Sequence, residues 1–174
     1  MYVLAISGSL RSGSSNTSLL RAAETLAPFE VRLFEGIGAL PHFNPDEEDL
    51  APPAVHTYRA ALADAAGVLF STPEYAHGLP GVLKNALDWV VGTGELVDKP
   101  VALVNASPRA TFAQAQLTET LSVMSAAIVT EGCVTVQIPR NLDADGIVAN
   151  ASFAEPLREA LAAFARALAA RKAS

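Results

Sequence analysis

Cysteine is nearly absent from this chain: Cys133 stands alone among 174 residues. A single cysteine excludes an internal disulfide and any Cys-rich zinc or iron–sulfur site. It adjoins the apolar alternation Val134-Thr135-Val136-Gln137-Ile138, a setting for burial rather than reactivity. Positive charge is also scarce, with 12 Lys and Arg against 18 Asp and Glu and a net charge of −6. That balance argues against a nucleic-acid or anionic-membrane surface, but leaves room for an anionic ligand in a local pocket. No apolar run approaches the roughly 20 residues needed to cross a bilayer. Met1 leads straight into a strand with no basic leader, so the expected location is the cytoplasm. What the chain does have is apolar residues, 51% of the total against 17% charged, which at this length suits one domain over residues 1–174.

Strand-like and helix-like patterns alternate along it. Strands are expected at Tyr2–Ser7, Glu30–Phe34, Gly67–Thr72, Pro100–Asn105 and Cys133–Ile138. Helices are expected at Thr17–Ala27, Ala54–Ala65, Val82–Val91, Phe112–Ala127 and Phe153–Lys172. The last of these includes an Ala-rich end in which Leu157, Leu161, Phe164 and Leu168 recur at helical spacing. A Pro-rich connection carries the acidic run Asp46-Glu47-Glu48-Asp49, read as a solvated loop. Such alternation implies an α/β fold with a parallel sheet covered on both faces, a doubly wound three-layer sandwich. Ligands of such folds sit beyond the carboxyl ends of the strands, where strand order reverses. That places the site on three loops, Ser9–Asn16, Pro73–Gly81 and Ala106–Thr111.

The first loop, Gly8-Ser9-Leu10-Arg11-Ser12-Gly13-Ser14-Ser15-Asn16-Thr17, joins an apolar strand to a helix. Backbone N–H groups at such a junction face outward at the positive end of the helix dipole, where a phosphate is stabilised. Gly8 and Gly13 allow close backbone approach, the hydroxyls can donate hydrogen bonds, and Arg11 adds a charged fork. Two well-known cradles do not fit. Gly8 and Gly13 have Walker spacing, but Ser14 stands where lysine is required, and no G-x-G-x-x-G dinucleotide fingerprint is present. The same residues also suit an ordinary serine-rich turn in which Asn16 or Ser15 caps the helix.

The second loop, Pro73-Glu74-Tyr75-Ala76-His77-Gly78-Leu79-Pro80-Gly81, is stiffened by two prolines and carries an aromatic ring, suited to gripping a flat heterocycle by its edge. A packing role for Tyr75 and a bland loop position for His77 are the plain alternatives, and Glu74 has no visible partner that would make it a base. Gly8-Ser9-Leu10-Arg11-x-x-Ser14-x-Asn16, Pro73-Glu74-Tyr75 and Pro80-Gly81-x-Leu83-Lys84-Asn85-Ala86-x-Asp88-Trp89 together resemble the NADPH-dependent FMN reductase family, which includes flavodoxin-like quinone, azo and chromate reductases.

This resemblance implies a flavodoxin-like sandwich with a five-stranded parallel sheet in the order 2-1-3-4-5. It implies FMN as cofactor, with its phosphate on Ser9, Arg11, Ser15, Asn16 and Thr17, and its ring and ribityl chain on Pro73, Glu74, Tyr75, Ala76, His77 and Gly78. Ser107 would reach the flavin edge, while Arg109 is read as pointing to solvent. NADPH or NADH would deliver hydride to flavin N5, and a small acceptor such as a quinone would be reduced in turn. That scheme requires neither a metal nor a catalytic side chain, because such acceptors take protons from water. A homodimer or homotetramer is implied, and the helix carrying Trp89, Val90 and Val91 offers surplus apolar surface for it. Ala76, where many relatives have asparagine, and the glycine-free loop after the fourth strand depart from the family pattern. The alternatives are an electron carrier that does not use NAD(P)H and a phosphate-binding module without flavin.

Overall fold

A computed structural model describes residues 2–48 and 50–172; Asp49 of the acidic run and the last two residues lie outside them. The strands are β1 (Tyr2–Ser7), β2 (Glu30–Leu33), β3 (Gly67–Ser71), β4 (Pro100–Asn105), β5 (Ala127–Ile128) and β6 (Val134–Thr135). The helices are α1 (Ser15–Leu26), α2 (Pro53–Asp64), α3 (Gly81–Asp88), α4 (Thr111–Val123), α5 (Ala144–Ala149) and α6 (Ala151–Lys172). Strand order is β2-β1-β3-β4-β5, with β6 also on β4 and every pairing parallel.

Because successive side chains point to opposite faces, each central strand feeds two cores. β1 sends Leu4 and Ile6 to one face, with Val55, Tyr58 and Leu62 of α2, Leu83 and Leu87 of α3, and Leu117 and Leu121 of α4. It sends Val3 and Ala5 to the other, with Leu19 and Leu20 of α1 and Leu157, Leu161 and Phe164 of α6. Strands buried on both sides need apolar residues at every position, which explains the unbroken runs in β1, β3 and β4.

The expected fifth strand at Cys133–Ile138 is instead two short pieces on one edge. β5 pairs with Pro100–Val101 and β6 with Val104–Asn105, separated by a 3-10 turn at Thr130–Gly132. Gly132 explains the interruption: a Cβ there would lie 3.2 Å from both Ala102 Cβ and Phe164 Cβ, so the chain lies flush against β4 and α6. Beyond β6 the extended chain still pairs irregularly, Val136 N donating to Asn105 O at 2.8 Å and Ile138 N to Ala106 O at 3.2 Å. The fourth helix stops at Val123, short of the expected Ala127, because Ser125 adopts a left-handed φ of 59° and Ala127 enters β5. The short helix α5, capped by Asp143 through Gly146 N at 2.8 Å, was not expected from the sequence.

Trp89 and Val90 are fully buried within the subunit and so cannot anchor an interface. Trp89 Nε1 donates to Pro41 O at 2.8 Å, Phe43 meets its ring edge-to-face at 5.1 Å, and Arg59 donates twice to its carbonyl. The Pro-rich connection thus covers Trp89, whereas Val91, the third residue of the expected apolar surplus, stays exposed. Among the described residues no helix is long and apolar enough to cross a membrane.

Candidate flavin site at the strand carboxyl ends

β1 and β3 are neighbours, and chain order reverses between them; the loops that leave their carboxyl ends diverge to opposite layers. A cavity of about 460 Å³ opens there, within the ~300–1,000 Å³ common for small-molecule sites. Its wall includes Ser9, Arg11, Ser15 and Asn16 from the first loop, Pro73, Glu74 and Tyr75 from the second, and Ser107 from the third.

The first loop is folded by its own hydroxyls. Ser7 Oγ accepts from Ser9 N and Ser9 Oγ from Arg11 N, both at 3.3 Å. Gly8 N donates to Ser71 O at 2.8 Å, and a Cβ at Gly8 would sit 2.3 Å from Thr72 Oγ1, so only glycine allows the first loop to lie this close to the end of β3. Ser14 caps α1, its Oγ accepting from Thr17 N at 3.4 Å, rather than the expected Ser15 or Asn16. Ser18 N then bonds Ser14 O, which leaves the amides of Ser15 and Asn16 without a protein partner among the described residues. These two donors stand at the positive end of a 12-residue helix, beside Arg11. The Asn16 side chain faces inward, its Oδ1 accepting from Ser71 Oγ at 3.0 Å and fixing α1 to β3.

The second loop is a tight hairpin. Tyr75 and Gly78 exchange backbone hydrogen bonds of 3.1 and 3.0 Å around Ala76 and His77, whose φ values are 49° and 58°. Positive φ at both central residues is the geometry of a type I′ turn, normally taken by Asn and Gly. α4 braces this turn: Gln116 Oε1 accepts from Leu79 N at 2.8 Å, and Phe112 stacks on His77 at 4.4 Å. Glu74 Oε2 accepts from Ala113 N at 3.0 Å, so its carboxylate caps α4. In the third loop, Asn105 Oδ1 accepts from Ser107 N, and Ser107 Oγ from Arg109 N.

Four of the sequence-derived positions lie off the cavity wall: Thr17, Ala76, His77 and Gly78. Thr17 Oγ1 lies 2.7 Å from Ser7 Oγ, behind the loop. Ala76, His77 and Gly78 form the hairpin tip. Arg109 is exposed, as expected, and also borders the cavity, while Gln137 and Arg140 join the wall from beyond β6. The rule that selected the loops after strands one, three and four, carried one strand further, points to those last two residues. Among the described residues three arginines, Arg11, Arg109 and Arg140, therefore line the cavity, against one carboxylate, Glu74, that is already hydrogen-bonded. In an acidic protein this is a local basic pocket.

The model for NADPH-dependent FMN reductases matches residues 1–139, a span that contains all three loops. The chain belongs to this family. Among relatives of this FMN reductase family, an NAD(P)H-dependent FMN reductase of Pseudomonas aeruginosa is 44% identical over 110 residues, covering 60% of this chain and 59% of that protein. A 2-hydroxy-1,4-benzoquinone reductase of Burkholderia is 38% identical over 111 residues, covering 62% and 61%. The matched part of the chain thus spans about three-fifths of these curated relatives. The solved structure of FerB, a flavoenzyme NAD(P)H:(acceptor) oxidoreductase of Paracoccus denitrificans, superposes with a TM-score of 0.82 at 30% identity over 97% of both chains.

Proposed function

We propose that this chain binds FMN and oxidises NADPH or NADH to reduce a quinone or similar small acceptor. The observation that carries the reading is the pair of unpartnered amides, Ser15 and Asn16, at the start of α1 beside Arg11 and opening on a cavity of flavin-compatible size. Such a cradle suits one terminal monophosphate, and the chain has no dinucleotide fingerprint that would favour FAD. Ser9, Arg11, Ser15 and Asn16 would hold the phosphate, while Pro73, Glu74 and Tyr75 would line the ring and ribityl chain with Ser107 opposite.

When bound, FMN would supply the redox chemistry, two-electron transfer by way of hydride at its N5. The protein's part is placement. The braced Tyr75–Gly78 hairpin fixes one wall, and the bond from the next residue, Leu79 N, to Gln116 Oε1 limits its movement relative to α4. Arg109 and Arg140 make the cavity favourable to a phosphorylated co-substrate. If NAD(P)H and acceptor occupy the same cavity in turn, steady-state kinetics follow a ping-pong pattern. The cytoplasm is the compartment proposed, and a homodimer or homotetramer the assembly. The assembly proposal is supported by exposed Tyr75 and Phe112 beside the site rather than by α3.

Anaerobic mixing provides the test. FMN-loaded protein should lose its yellow absorbance with NADPH or NADH and regain it when a quinone is added. Bleaching by dithionite but by neither nicotinamide would turn the reading to an electron carrier. Failure to take up FMN at all would leave a phosphate-binding module.

A further inference from the structure

Arg11 is an exposed side chain, and ordering a long side chain on binding costs free energy unless it is already held. The structure shows it already arrested: Arg11 Nη2 donates to Oδ1 of Asn141 at 2.6 Å, from a residue 130 positions away. The pair lies over the cradle's second glycine. A Cβ at Gly13 would sit 3.5 Å from Asn141 Oδ1 and 3.6 Å from Arg11 Nη2. Asn141 itself adopts a left-handed φ of 61°, a conformation that asparagine tolerates better than most side chains.

The nature of the partner matters as much as the distance. Arg21 and Arg32 each pair with a carboxylate, Glu35 and Glu30, at 2.7 Å. A carboxylate on Arg11 would offset the charge that an anion needs, whereas an amide oxygen holds the guanidinium and leaves its charge and most of its donors free. Asn141 also lies beyond the 1–139 span matched by the family model.

We propose that Asn141 is a positioning residue for the flavin phosphate: it holds Arg11 over the start of α1 without neutralising it. The inference rests on the reading of that loop as the FMN phosphate cradle. Its test is fluorescence-quenching titration of the full chain with FMN and with riboflavin, which has the same ring and ribityl chain but no phosphate. Glycine accepts a positive φ, so Asn141→Gly removes the side chain without backbone strain.

Asn141→Gly is expected to weaken FMN binding about three- to tenfold, the size expected for ordering one long side chain, with riboflavin unaffected. Added to Arg11→Ala, it should cost nothing further, and that comparison reads the coupling without riboflavin. Asn141→Asp keeps the bond but adds negative charge, and should weaken FMN at least as much. Equal weakening of FMN and riboflavin would overturn the proposal, as would tighter FMN binding by Asn141→Asp. Full FMN affinity in Asn141→Gly while Arg11→Ala loses it would also overturn it, leaving the cradle intact. Full FMN affinity in Arg11→Ala would remove the cradle reading and the positioning role together.

Discussion

Glu74 lies in the loop expected to hold the flavin ring, yet its carboxylate serves a helix. α4 begins after Ala110, which has no side-chain acceptor for the first-turn amides, and Glu74 Oε2 supplies one to Ala113 N at 3.0 Å. Loss of a side-chain cap costs about 0.5–2 kcal/mol, and loss of a carboxylate at a helix N-terminus about 0.3–1 kcal/mol. Glu74→Ala forfeits both, so about 1–2 kcal/mol is expected for this half-buried group. For a chain of this size that corresponds to a fall in Tm of about 2–8 °C. Glu74→Gln keeps an acceptor and loses only the charge, so its fall should be smaller, about 1–4 °C. Far-UV circular dichroism melts of the flavin-free protein at neutral pH and low salt would measure both without linkage to ligand. A melt of Glu74→Ala within about 1 °C of the parent, or equal losses in the two variants, would refute the capping argument.

Other perturbations follow from single groups. Tyr58 is fully buried and its hydroxyl has no partner among the described residues, so Tyr58→Phe should stabilise by about 1 kcal/mol, read as a higher urea midpoint. Ala76 has a φ of 49°, strain that glycine relieves; Ala76→Gly should gain about 0.5–1 kcal/mol net of its entropy cost, and a lower midpoint would count against the turn assignment. Burial pushes the Cys133 thiol above its ordinary 9.0 and the Tyr58 phenol well above 10.0, so the unfolded chain releases both protons first. Their stabilising contribution is therefore full below about pH 9 and falls as pH rises beyond it. Burial lowers the Lys99 pKa, which acts in the opposite sense, so the reading is by difference. The advantage of Tyr58→Phe over the parent should widen above pH 10, and an advantage that narrows there would contradict the assigned burial effect.

The sequence by itself determined the parts whose signals are local. Buried strands require continuous apolar runs, so β1 and β4 are found at the expected Tyr2–Ser7 and Pro100–Asn105. The loop that opens α1, proposed above as the phosphate cradle, was legible because glycine, hydroxyls and a helix start lie within ten residues of one another. Tertiary structure decided what depends on a partner far along the chain. The apolar surplus of α3 suggests an interface until the segment around Pro41 and Phe43 is placed over Trp89. Gly132 looks like any turn residue until Ala102 and Phe164 press against it and divide the edge strand. Glu74 caps a helix 39 residues away and Asn141 holds Arg11 across 130. Periodicity and turn chemistry report on neighbours along the backbone. Which loop closes over which is set by the crossovers of the sheet, and that pairing leaves no local periodicity to read.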